Sequence, residues 1–166
     1  MKLRLLAVTT STVLLTACAL PVAKINAPFD VKQASIINKE GKNTIAGSAL
    51  MRQQGGGTVT CAGNEVTLTP ATAYATERIM YIYKNTNKGV AYSGYKFEPD
   101  EPEYLTYTKN TQCGAQGNFI FKNIADGEYF VTTKIQWTVG YNVQGGALMR
   151  KVSVKGGETA DIVLAP

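Results

Sequence analysis

A chain of 166 residues with no histidine, 17 basic and 12 acidic side chains and a formal charge of +5 is too weakly charged to argue for a nucleic-acid partner. The missing imidazoles exclude Ser-His-Asp triads, Cys-His pairs and His-based zinc or copper sites. Its three cysteines carry more information than its charge.

The first of them closes an export signal. Met1-Lys2-Leu3-Arg4 is basic and is followed by an apolar run from Leu5 to Leu15. A transmembrane helix needs roughly 20 apolar residues, and Thr9-Thr10-Ser11-Thr12 weakens this shorter run, so residues 1–17 read as a cleaved signal peptide. Leu15-Thr16-Ala17-Cys18 resembles the lipobox of bacterial lipoproteins. That resemblance implies cleavage before Cys18 and acyl chains on that residue. Each buried CH₂ contributes about 0.8 kcal/mol, and two or three chains make attachment stable. Ala19 after the cysteine, where Asp would signal retention, implies the bacterial outer membrane, at its periplasmic face or the cell surface. The alternative is an ordinary signal peptide ending near Ala17 or Ala19. Cleavage before Cys18 leaves 149 residues with 15 basic and 12 acidic side chains, enough for one hydrophobic core.

With Cys18 acylated, Cys61 and Cys113 are left, and an exported pair has one connectivity. The expected disulfide would stabilise the domain by roughly 4 kcal/mol on the chain-entropy estimate. Two free buried thiols are the alternative.

Residues 18–43 are polar, without sustained periodicity, and read as a lipidated N-terminus and flexible tether; the folded domain is expected over residues 44–166. Thr44 to Met51 is a candidate first strand, followed by a Gln53–Gly57 loop. Thr58 to Thr69 is a second strand region, interrupted at Ala62-Gly63-Asn64. Ala73 to Lys84 is the convincing helical stretch, with Ile79 and Tyr83 four apart, although the alternation of Ile79, Tyr81 and Tyr83 is also compatible with a strand. Asn85 to Glu103 reads as a long inserted loop punctuated by Gly89, Gly94, Pro99 and Pro102. Phe119 and Phe121 alternate before an Ala125-Asp126-Gly127 turn. The next strand puts Tyr129, Val131, Thr133, Ile135, Trp137 and Val139 on one face and a wet face, beginning at Phe130, on the other. Leu148 to Val154, a Lys155–Glu158 turn and Ala160 to Leu164 read as a closing hairpin.

Gly117-Asn118-Phe119-Ile120-Phe121-Lys122-Asn123-Ile124-Ala125-Asp126-Gly127-Glu128-Tyr129 resembles the signature of the carboxypeptidase regulatory-like domain. Thr60-Cys61-Ala62-Gly63-Asn64-Glu65-Val66 and Thr69-Pro70-Ala71-Thr72 look like an exported bacterial subgroup of it. The resemblance implies an all-β fold, a transthyretin-like or Ig-like β-sandwich of about seven strands with one short helix and a long inserted loop. It also implies a non-catalytic appendage, and some related sandwiches bind carbohydrate. The matching aromatics and glycines are packing and turn positions, so no functional residue is carried over.

The residues themselves offer no catalytic or metal site and call for no cofactor. Ser93-Gly94-Tyr95-Lys96 has the S-x-x-K spacing but lacks its companion motifs. Glu98, Asp100, Glu101 and Glu103 lack calcium-loop spacing and read as a solvated acidic run. Seven of the nine tyrosines fall between Tyr74 and Tyr107, flanked by Lys84, Lys88, Lys96 and Lys109. Exposed aromatics stack on sugars or centre protein interfaces, so Tyr83, Tyr92, Tyr95 and Phe97 are the candidate ligand contacts. The expectation is a membrane-anchored, non-catalytic module binding an envelope protein or glycan. The alternative is an assembly component that pairs through a sheet edge.

Overall fold

The computed structural model describes Leu20 to Pro166; the signal peptide expected over residues 1–17 and the expected lipidation site Cys18 lie outside the described residues. In chain order the elements are β1 (Val22–Lys24), the single-turn helix α1 (Val31–Ala34), β2 (Glu40–Arg52), β3 (Thr58–Thr60), β4 (Glu65–Pro70) and helix α2 (Ala73–Tyr83). Then follow β5 (Lys88–Ala91), β6 (Lys96–Glu98), β7 (Lys109–Gln112), β8 (Asn118–Ile124), β9 (Gly127–Val139), β10 (Asn142–Val154) and β11 (Thr159–Leu164). The all-β sandwich with one substantial helix is present, with eleven strands among the described residues where about seven were expected.

One sheet has the order β5-β10-β9-β4-β7; in the other, β2 pairs with β11, β3 and β8. Inward residues of β9 and β10, among them Tyr129, Val131, Ile135 and Leu148, meet Ile45, Phe119, Phe121 and Leu164 of the facing sheet in one core. The alternation read from β8 and β9 is therefore the alternation of this core. The outer face of β9 is wet for only part of its length. Phe130 and Met149 are buried there beneath Ala75, Ile79 and Tyr83 of α2, because a helix laid across the sheet needs an apolar floor. Thr72 starts that helix, its hydroxyl accepting from the Ala75 amide at 3.2 Å, and Lys84 ends it in the left-handed region at φ 56°. These caps satisfy otherwise orphaned backbone groups and set the helix length.

Three expectations are corrected. The tether of residues 18–43 is folded from Val22 onward: Ala23, Ile25, Ala34 and Ile37 are buried, and β2 already starts at Glu40. Its apolar residues are divided among a three-residue strand, a helical turn and a 3₁₀ turn, none long enough to show a period. The long loop holds β5, which extends the larger sheet, and β6, which pairs in parallel with β1 (Val22 opposite Lys96). The closing hairpin is not one, since β11 crosses to the other sheet and lies parallel to β2, Thr159 opposite Thr44. The hairpin that does form joins β9 to β10 through Gly140-Tyr141, Val139 opposite Asn142. Gly140, at φ 60°, occupies the first central position, where a type II′ turn needs positive φ.

The expected Cys61–Cys113 disulfide is present, with a Cα–Cα distance of 5.8 Å. It joins the residue after β3 to the residue after β7.

Three chain crossings converge on Asn43, which has 0% exposure. Its Nδ2 donates to the Ile124 carbonyl at 2.9 Å and to Asp126 Oδ1 at 2.8 Å. Its Oδ1 accepts from the amides of Gly157 at 2.8 Å and Glu158 at 3.0 Å. Every donor and acceptor of the amide is thus engaged. Beside it, β2 bulges against β8; a Cβ at Gly41 would stand 2.0 Å from the Ile124 carbonyl oxygen, so only glycine allows this approach.

Replacement by Asn43→Ala deprives the buried Ile124 carbonyl of this donor and unfastens the exposed Gly157–Glu158 turn, and should lower the unfolding free energy by about 1–3 kcal/mol; urea titration checks this. A second expectation concerns pH. Tyr129 is fully buried and donates to the Ala125 carbonyl at 3.0 Å. Burial first, and then the Asp126 charge, push its phenol from 10.0 up to about 12. A folded-state pKa above the unfolded one gives stability that is intact below about pH 10 and is lost as pH rises through about 12. Alkaline melting should show this loss, and Tyr129→Phe should reduce it, the buried phenols of Tyr83 and Tyr104, raised likewise, supplying the remainder.

Candidate functional site

The tyrosine-rich region expected to bind is largely a second core. Phe97 on β6 is 5% exposed and clusters with Ala23, Ile25 and Tyr74. Phe29, from the segment expected to be a tether, meets the Tyr74 ring edge-on at 5.5 Å. At the centre lies Arg78, whose guanidinium carbon stands 3.9 Å from the Phe97 ring centroid and 4.5 Å from that of Tyr104. Its Nη1 donates to Tyr74 Oη at 3.2 Å and to Asp100 Oδ1 at 2.6 Å. A mostly buried cation needs both a counter-ion and the negative faces of rings, and the acidic and aromatic residues of this region supply them. One helical turn separates Arg78 from Tyr74, a spacing that sequence reasoning could have used.

Glu77 on the same helix accepts from the amides of Asn26 and Ala27 at 3.0 and 2.7 Å, and these hydrogen bonds hold its carboxyl below the ordinary range. It ties the incoming chain to α2. Among the described residues no group of three or more Cys, Asp or Glu is placed to hold a metal ion. Asp100 serves Arg78, and Glu98 is an exposed partner of Lys96 at 3.8 Å.

The four proposed contact residues therefore separate. Phe97 is excluded as a stacking platform because both its faces are occupied by the second core. Tyr95 is half-buried between Tyr81 and Phe97, and its hydroxyl accepts from Lys84 Nζ at 3.0 Å. Tyr92 is 74% exposed, after the end of β5. Tyr83, the last residue of α2, is buried against the sheet, and burial raises its phenol pKa; it cannot act as an open platform, but one side of it walls a hollow.

That hollow, of about 320 Å³, opens between the C-terminus of α2 and the outer face of the five-stranded sheet. Thr67 and Thr132 are direct cross-strand partners on β4 and β9 and line it. Lys134 follows on the same face of β9, and its neighbour on β10 is Ala147, whose small side chain leaves room. Asn64 and Glu65 close the far side. Thr133 donates to the Glu65 carbonyl at 2.7 Å and fixes the start of β4. The hollow thus presents an aromatic wall, hydroxyls, an amide, a carboxylate and an ammonium within the space of one small ring. Of these residues, sequence reasoning named only Tyr83; the others are scattered polar positions that acquire meaning through strand pairing. A larger hollow of about 500 Å³ beside β7 and β8 has Phe119 in its lining but no lysine or arginine.

The sequence matches no known family profile, and no curated protein is similar to it. Its structure is similar to a crystal structure of a Pseudomonas aeruginosa protein named as a "putative carbohydrate binding protein". The TM-score is 0.66 at 21% identity, covering 89% of this chain and 100% of the other. The likeness defines the fold class: an all-β sandwich with a short helix.

Proposed function

We propose that this chain is a membrane-anchored, non-catalytic module that binds a glycan of the bacterial envelope in the hollow beside α2. The observation that carries the reading is the hollow's chemistry. Sugar rings have apolar faces that pack on aromatic walls and rims of hydroxyls that pair with amides, carboxylates and ammonium groups. Tyr83 offers the first, and Asn64, Glu65, Thr132 and Lys134 offer the second. The description of the P. aeruginosa protein as carbohydrate binding and the resemblance to carboxypeptidase regulatory-like domains point the same way.

The composition of the hollow also argues against hydrolysis. Glycoside cleavage ordinarily needs two carboxyl groups flanking the bond, and Glu65 is the one carboxylate lining this hollow. The edge strands β3, β5 and β7 are three or four residues long and poor templates; the edge-pairing alternative therefore rests on β8 and β11, seven and six residues long, which pair with β2 alone. The anchor in this reading is Cys18.

Titration with envelope oligosaccharides, followed by NMR or calorimetry, should show affinity falling about tenfold in Lys134→Ala and in Asn64→Ala, the loss of roughly one hydrogen bond each. Unchanged binding in both would remove the hollow from consideration. Independently, Cys18→Ser should release the protein into the soluble fraction; full retention on membranes refutes acylation at that position.

A further inference from the structure

Six of the eleven exposed large apolar side chains among the described residues, Leu20, Val22, Tyr92, Val139, Tyr141 and Val143, lie toward one end of the domain. Strands β2 and β9 both leave the Asn43–Asp126 junction in the same sense, and each is 13 residues long. The β2–β3 connection and the β9–β10 tip therefore both point toward the far end. There Val139, Tyr141 and Val143 are exposed, Tyr141 completely (104%). β5 runs toward the same tip, Ala91 opposite Ala147, and Tyr92 follows it; a Cβ added at Gly146 would be 3.2 Å from the Tyr92 ring.

The chain enters the domain at this end too. The Lys96 amide donates to the Pro21 carbonyl at 3.0 Å, which places Leu20 to Val22 beside the Tyr92–Tyr95 connection; Leu20 and Val22 are exposed. Cys18 is four residues before Val22, a reach of at most about 14 Å.

Charge follows the same division. No Asp, Glu, Lys or Arg occurs from Ile135 to Met149, from Gln53 to Asn64 or from Leu20 to Ala23. Lys84 and Lys96 stand near the rim. An uncharged end carrying Tyr, Val and Leu, bordered by lysines, has the composition of a surface that rests among lipid headgroups. The short span from Cys18 leaves that end little freedom to face elsewhere.

We infer that the end of the domain formed by Leu20, Val22, Tyr92 and the β9–β10 tip lies in the headgroup region of the bilayer that holds the acyl chains. The inference rests on the proposed anchoring at Cys18. The tip acts as a second, non-covalent membrane contact and fixes the orientation of the sandwich.

Trp137, the single tryptophan, lies in the tip strand, so the test can be optical. Full-length protein purified from membranes is reconstituted in anionic phospholipid vesicles with brominated acyl chains, which quench nearby indoles. In a Trp137→Phe background, Tyr141→Trp reports on the tip and Lys122→Trp on the opposite end. The expected result is strong quenching and a blue shift for Tyr141→Trp, and neither for Lys122→Trp. Adding Val139→Asp and Val143→Asp to the tip probe should abolish its quenching while thermal melting shows the fold intact. An unquenched tip in protein that is acylated by mass and floats with the vesicles overturns the inference and leaves the anchor standing. Protein that carries no acyl chain and does not float overturns the anchoring, and this inference with it. A tip shielded only after a soluble envelope protein is added rejects the bilayer as its occupant.

Discussion

A buried amide with four engaged hydrogen bonds sets the topology of this domain. Asn43 sits where β2 begins, and its two donors and two acceptor positions reach the β8–β9 turn and the β10–β11 turn at once. Burying such a group is tolerable only when all its partners are in place. The three chain segments are therefore fixed together or not at all. Holding Gly157 and Glu158 against Asn43 directs β11 away from β10 and alongside β2. Without that constraint, the alternating residues on either side of the Lys155–Glu158 turn would be free to form a simple hairpin.

That departure shows where sequence reasoning was informative. Alternation in Phe119, Phe121, Tyr129, Val131 and Ile135 revealed the inward faces of β8 and β9, because period two is a property of each strand alone. The i, i+4 pair Ile79 and Tyr83 revealed α2 for the same reason. Pairing is not local. The partner of Val22 is Lys96, and the partner of Thr159 is Thr44; no pattern within either segment encodes those choices. The apolar residues from Ala23 to Ile37 were individually visible but too widely spaced to read as packed, so a folded segment looked like a tether.

The candidate site shows the same limit. Tyrosine density correctly marked an unusual region, but most of those rings surround Arg78 in a second core and leave little of themselves for a ligand. Thr67, Thr132 and Lys134 lie far apart in sequence or look like ordinary solvent-facing positions, and become neighbours only because β4 lies beside β9. What distinguishes the aromatics is their degree of enclosure: Phe97 serves packing, Tyr83 serves packing and a wall, and Tyr92 serves neither.

The Cys61–Cys113 bond has a consequence for the durability of this second core. The covalent loop it closes contains α2, β5 and β6, which are the elements that carry Arg78, Tyr83 and Phe97. A single peptide-bond break within the connections of that loop leaves both fragments joined through sulfur, with β1 still seated on β6 from outside the loop. The domain is thus a nick-tolerant object, as the envelope location proposed for it would require. Damage at its most irregular surface would be held in place, without shedding the part that shapes the hollow.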